Sequence, residues 1–295
     1  MQYGLMTYPS FGGVYNIGDY IQSLAALQFL PQVDCFINRE ALHHFKDDPV
    51  KMIMNGWFMH IPENWPPSSA IDPLFVSFHI NAGTNGRLLT SSGVDYFKKW
   101  ASVGCRDLYT LKLLKDAGVH AYFSGCLTTT LDLDYTADSR SDNVYIVDAQ
   151  FDVQTLGVFL DRDLLATAEF VTHLYGDEEP EIKRFERAAE LIGKYARAKL
   201  VITSRLHCAL PCLALGTPVL FLQSGSEDET CFCRFEGLLE LLNTISIDSA
   251  GGVTSNFGVS HGDKIGQNCW CANSTKYLER AEFLKSECIR FIGQV

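Results

Sequence analysis

Short apolar runs alternate along the chain with longer segments whose apolar positions recur at helical spacing. In the first half, Gly4–Tyr8, Asp34–Ile37, Val50–Met54, Leu74–Ile80 and Val119–Phe123 predict buried strands. Tyr20–Leu30, stopped at Pro31, predicts a helix, as do Gly93–Ala101 and Leu108–Ala117. The second half repeats the pattern. Val144–Asp148, Phe170–Leu174, Leu200–Thr203 and Pro218–Leu222 predict strands. Glu181–Arg197, Leu206–Leu215 and Phe235–Asn243 predict helices. Ala250–Asn273 is Gly-rich and expected to be loop. Tyr277, Ala281, Leu284, Cys288 and Ile292 then form an apolar stripe on a closing helix over about 274–292.

Strands and helices that alternate in both halves predict two parallel-sheet α/β domains. The polar, Asp- and Ser-rich stretch Leu131–Asn143 places the boundary, giving domains over 1–133 and 134–295. Open parallel sheets bind ligands at the carboxyl ends of their strands. The cleft between the two domains is therefore the expected site.

Composition narrows the class. The chain has 295 residues, 47% hydrophobic and 20% charged, which excludes disorder. Its 24 Lys and Arg against 35 Asp and Glu give a formal charge of −11, which argues against general nucleic-acid binding. An anionic ligand would have to be held by a local basic cluster. No apolar run reaches transmembrane length, and Met1–Ser10 lacks the pattern of a secretory leader. The ten cysteines lie largely in apolar stretches and read as reduced residues of a cytoplasmic protein.

Three constellations carry candidate chemistry. In Leu200–His207 a buried strand ends at Thr203, and Arg205 and His207 open a helix. A permanent cation and a titratable ring thus sit beside the free N–H groups of a helix N-terminus. Pro211 removes the helical partner of the His207 carbonyl, so this turn is expected to be irregular. In Val103–Asp107, Arg106 again precedes a helix, and Asp107 is a natural N-cap. In Gly12–Asp19, a Gly-rich turn after the first strand opens the first helix, with Asp19 and Gln22 spaced as a cap pairing. Each also admits a plain reading as a capped helix start. Asn55, Trp57 and His79 end first-half strands and are candidates for an acceptor pocket, with Trp57 able to stack on a sugar. Cys231 and Cys233, with Cys269 and Cys271, form two Cys-x-Cys pairs. One intervening residue is fewer than structural zinc sites use, so no metal site is expected there.

The segment Lys194–Val219, which contains Ser-Arg-Leu-His, resembles the hallmark stretch of polysaccharide pyruvyl transferases. Asn16-Ile-Gly18-Asp-Tyr-Ile-Gln22 and Val103-Gly-Cys-Arg-Asp-Leu-Tyr-Thr110 resemble that family's other signatures. The resemblance runs from about Asn16 to about Phe221. It implies a GT-B-like fold of facing Rossmann-like halves. It also implies transfer of the enolpyruvyl unit of phosphoenolpyruvate to a sugar or glycan, closing a cyclic ketal with no cofactor. By motif, Arg106, Arg205, Leu206 and His207 would hold the donor, with Asn16 and Gly18 beside them. His207 and Asp19 are the candidates for proton transfer. A glycosyltransferase with a nucleotide-sugar donor, or a non-catalytic binder of sugars or phosphorylated metabolites, would share the fold.

Overall fold

The computed structural model describes residues 1–132, 140–176, 178–224, 232–248, 250–266 and 272–293. Its first part contains β1 (Gln2–Thr7), β2 (Val14–Asn16), α1 (Ile17–Leu27), β3 (Cys35–Asn38), β4 (Val50–Phe58), β5 (Ile71–Ile80), α2 (Asn85–Leu88), α3 (Ser91–Lys99), β6 (Val103–Cys105), α4 (Leu108–Asp116) and β7 (Ala121–Phe123). Then come β8 (Val144–Val147), α5 (Val153–Phe159), α6 (Arg162–Thr167), β9 (Glu169–Val171), β10 (Leu174–Gly176), α7 (Glu181–Arg197), β11 (Leu200–Thr203), α8 (Leu206–Ala214), β12 (Val219–Ser224), β13 (Asn243–Ile247), β14 (Val253–Ser255) and α9 (Leu278–Ile292).

The chain is mixed α/β, as the alternating pattern implies. One sheet runs β3-β1-β4-β5-β6-β7 and is wholly parallel. The other runs β14-β13-β12-β11-β8-β9, parallel except for its β14 edge. Strand residues alternate between faces, and the second sheet uses both. Val144, Ile146, Leu200, Ile202, Leu220 and Leu222 point into a core with Leu156, Phe159 and Leu164 of α5 and α6. Tyr145, Val147, Val201, Val219 and Phe221 face the larger core, which is continuous with the first sheet.

Three elements tie the two sheets together. β2 and β10 pair antiparallel, with Tyr15 opposite Tyr175, and Ile17 N–H donates to the His173 carbonyl at 2.8 Å. α7 locks onto α1: the Tyr20 hydroxyl donates to Glu181 at 2.9 Å, and Tyr20 packs edge-on to Phe185. α9 returns to the first sheet, where Leu284, Cys288 and Ile292 join its core and Lys51 donates to the Phe291 carbonyl.

Several expectations change, among them the expected loop Ala250–Asn273, which holds the short edge strand β14. Phe235–Asn243 is not a helix. Gly237 takes φ +81°, which only glycine adopts freely, and breaks the segment into the 3-10 turns Cys233–Phe235 and Leu239–Leu241. The alternating Asn-Thr-Ile-Ser-Ile that follows forms β13, so the Leu-rich stretch covers the sheet without helical winding. Asp19 is not the cap of the first helix. Asn16 is: its Oδ1 accepts from Gly18 N–H at 3.1 Å, which leaves Asp19 in the first turn with its carboxylate not used as a cap. The segment predicted as one strand over Phe170–Leu174 divides into β9 and β10. The proposed boundary lies partly at 133–139, outside the described residues.

Candidate active site

A cavity of about 420 Å³ opens where the carboxyl ends of both sheets meet. Its polar lining follows one rule. Arg39 comes directly after β3, Asn81 after β5, Arg106 after β6 and Ser204 after β11, while His60 and His173 stand two residues beyond β4 and β9. Asn16, Gly18, Asp19, Trp57, His79, Arg205, Leu206 and His207 also line it, so nine of the ten residues singled out from the sequence meet there, Arg106 being the ninth. Asn55 does not line it. That residue is 1% exposed and donates to the Gln22 carbonyl at 2.9 Å, bracing α1 against β4. Among the paired cysteines, Cys233 is buried, and Cys231, Cys269 and Cys271 lie outside the described residues.

Arg106 is the most unusual group in the cavity. Its side chain is 1% exposed, and its backbone N–H is tied to the Phe78 carbonyl at 2.9 Å. Its Nε lies 3.6 Å from Asp107, too far for a hydrogen bond, and Nε and Nη1 are buried without a hydrogen-bond partner. The ion pair offsets part of the desolvation cost of this buried guanidinium, and hydrogen bonds from a ligand would satisfy the two unmet donors. Arg205 is different. It caps α8, its side chain is 30% exposed, and its Nε donates to Asp148 at 2.9 Å. Burial pushes the Asp148 carboxyl up, but the His173 N–H and Arg205 outweigh it and hold it lowered. The Nη nitrogens of Arg205 then remain for an anion.

His207 sits at the irregular turn that Pro211 predicts, with φ −83° and ψ 17° inside α8. Its Nε2 is buried without a hydrogen-bond partner. Burial, then Arg106 and His173, push the ring well below the usual histidine range, so it is neutral near pH 7. Gly18 permits this packing: a Cβ there would lie 3.3 Å from His173 Nδ1 and 3.4 Å from His207 Cβ. Ser204 holds the strand end in place by donating to the Ala149 carbonyl at 2.8 Å.

The opposite end of the cavity is aromatic. Phe11 and Trp57 flank the His60 ring, with centroids 3.9 and 4.5 Å from it. Buried Arg39 lies over the Tyr8 and Trp57 rings and 3.7 Å from Asp19. Burial raises Asp19 above the usual carboxylate range, with Arg39, His60 and Arg106 opposing. Gln22 donates to Asp19 Oδ1 at 3.1 Å. Arg39, His60 and His173 were not singled out from the sequence. Their position just past a strand's carboxyl end was the available signal; Arg39 also opens a short 3-10 helix capped by Asn38, whereas His60 and His173 stand in no helix-opening motif.

The buried histidines set an expected acid limit. His79 and His207 bind protons less readily folded than unfolded, where the ordinary value is 6.5. Stability is therefore complete above about pH 6.5 and falls as pH drops below it toward the lowered folded values. Melting curves at pH 7.5, 6.5 and 5.5 check this. A flat melting temperature over that range would contradict it, and His207→Gln should remove part of the slope.

A family model for polysaccharide pyruvyl transferase matches residues 16–226. No curated protein matches the chain. A solved structure of an uncharacterized protein from Klebsiella pneumoniae subsp. pneumoniae NTUH-K2044 aligns at a TM-score of 0.43 and 16% identity, covering 78% of this chain and 87% of that one. The family match begins at the Asn16 cap and takes in β6 with Arg106 and the Arg205–His207 turn. Over that span the chain belongs to the polysaccharide pyruvyl transferase family.

Proposed function

We propose that the protein transfers the enolpyruvyl unit of phosphoenolpyruvate to a sugar or glycan and closes a cyclic pyruvate ketal. In this reading residues 1–133 and 134–295 act as two Rossmann-like halves facing across the cavity, in a GT-B-like manner. The observation that carries the reading is the buried guanidinium of Arg106, two of whose nitrogens lack a hydrogen bond, in the same cavity as Arg205. Phosphoenolpyruvate bears a phosphate and a carboxylate on three carbons. Two planar guanidinium groups from different sheets suit two such anions. Leu206 and Ser204 would close around the small carbon skeleton.

The acceptor sugar would lie at the aromatic end, stacked on Trp57, with hydroxyls near Asp19 and Arg39. Bound phosphate favours a protonated His207, which delivers its proton to C3 of the donor. C2 gains cationic character, the first hydroxyl bonds to it, and the C2–O bond to phosphate breaks. Asp19 takes the proton of the second hydroxyl as the ring closes. Overall two O–H bonds break. One of the two protons makes good the one given to C3, and the other leaves on phosphate.

Phosphate release from phosphoenolpyruvate in the presence of mixed sugars tests the reading. Release that requires a nucleotide sugar would replace it with glycosyl transfer. Turnover is expected to survive chelation, because arginines supply the charge that a metal would otherwise bring, and no metal-binding group of three or more His, Cys, Asp or Glu occurs among the described residues. Activity lost to EDTA and restored by magnesium would contradict this. Arg205→Lys is expected to recover little of the donor affinity lost in Arg205→Ala, since an ammonium cannot reproduce the planar fork. Titration calorimetry on both variants decides it.

A further inference from the structure

Asp107 divides its two oxygens between fold and site. Oδ1 accepts from Thr110 N–H at 2.8 Å and caps α4. Oδ2 lies 2.6 Å from His79 Nδ1. An ionised carboxylate only accepts, so Nδ1 carries the hydrogen and Nε2 keeps the lone pair. Thr110 Oγ1 stands 3.3 Å from the same Nδ1 and accepts from Ile80 N–H at 3.1 Å, fixing the ring from a second side. His79 is 2% exposed and lines the cavity. Asp107 Oδ2 is also 3.6 Å from Arg106 Nε. One carboxylate therefore braces both the cation that would grip the donor and a titrating ring beside it.

We propose that His79, oriented by Asp107, is a second catalytic residue that relays a proton from the first acceptor hydroxyl to the departing phosphate. This rests on the transfer reading above, which leaves that proton without a carrier. As the hydroxyl oxygen bonds to C2, its O–H bond breaks and the proton moves to Nε2. Asp107 stabilises the imidazolium. The C2–O bond then breaks, its electron pair goes to phosphate, and Nε2 returns the proton to a phosphate oxygen. The ring ends neutral and no redox partner is needed.

The surroundings suit a group that is neutral at rest and charged only in passing. Burial and Arg106 lower His79, while Asp107 opposes them. Arg234 adds to the lowering, and His207 and Tyr109 also face the ring. A histidine kept neutral near pH 7 can accept the proton, and the adjacent carboxylate lets it hold the charge briefly.

The test uses His79→Gln and Asp107→Asn. An asparagine side chain can still cap α4 through its carbonyl oxygen but cannot stabilise an imidazolium. His79→Gln should bind phosphoenolpyruvate within about threefold of wild type, and both variants should lose roughly 10²-fold or more in kcat for phosphate release. The acidic limb of the pH profile should flatten in both. Nitrogen-15 NMR of wild-type protein should find the His79 hydrogen on Nδ1, and saturating inorganic phosphate should raise the pH at which the ring titrates. A well-folded His79→Gln with near-normal kcat, or a ring hydrogen on Nε2, overturns the relay alone. Wild-type protein that releases no phosphate from phosphoenolpyruvate with any sugar overturns both the transfer reading and the relay.

Discussion

Arg106→Met is expected to remove donor binding while leaving the fold about as stable as before. The two unpartnered nitrogens of Arg106 would each make a charge-assisted bond to the donor, worth about 1.5–3 kcal/mol. Losing both lowers affinity by roughly 10²–10⁴. The free protein should hardly notice. Methionine fills similar volume without a charge, and replacing a poorly compensated buried charge with an apolar side chain is often neutral or stabilising. The opposing effect is that Asp107 loses a cation 3.6 Å away, although His79 and the Thr110 N–H remain with it. Calorimetry with phosphoenolpyruvate and a thermal melt measure the two quantities separately. Donor affinity within threefold of wild type would end the assignment of Arg106 as an anion grip. Collapse of the fold would mean that its charge is structural.

His207→Gln is expected to lower kcat by roughly 10²–10⁴ with most donor binding kept. Glutamine is close in size and can still hydrogen-bond, but it does not titrate. The Nε2 of His207 is buried without a partner in a cavity lined by four arginines, a setting in which a bound phosphate changes the proton affinity of the ring. A purely structural histidine would instead be satisfied by hydrogen bonds, as His173 is through Tyr195 at 2.8 Å. If His207 only binds donor, KM should rise while kcat survives. If it only packs, the variant should melt early and lose both. A stable variant with normal kcat would exclude a catalytic role.

The cavity was more legible in the sequence than the sheet edges were. Arg106, Arg205 and His207 announce themselves because each opens a helix after a buried strand, a position where side chains converge at a sheet's carboxyl end. Arg39 and His173 occupy equivalent ends but follow the short strands β3 and β9, whose partly exposed residues give weak apolar runs. The Leu-rich stretch before β13 misled because Leu238, Leu241 and Leu242 recur at helical spacing while Gly237 and the β-branched run after it decide the backbone. Asp19 was misplaced by three residues for a related reason. Asn16 and Asp19 are both good caps, and β2, whose partner lies far along the chain, fixes which one serves. Asn55 does not end its strand, because β4 runs on to Phe58; strand residues alternate in direction, and its side chain turns to α1.

The β2–β10 ribbon also constrains how the protein is made. Asn16 and Gly18 stand at the site, yet β2 has no partner until Leu174–Gly176 has been synthesised, more than half the chain later. A nascent chain halted before that point can pair β1 with β3 and β4, and β4 with β5, but it leaves the edge of β2 bare and the entrance to α1 unanchored. The cavity end of the first sheet is thus expected to order only after β10 has been made. Truncated chains ending before residue 174 should be more prone to aggregation and protease attack around Phe11–Gly18 than the full chain.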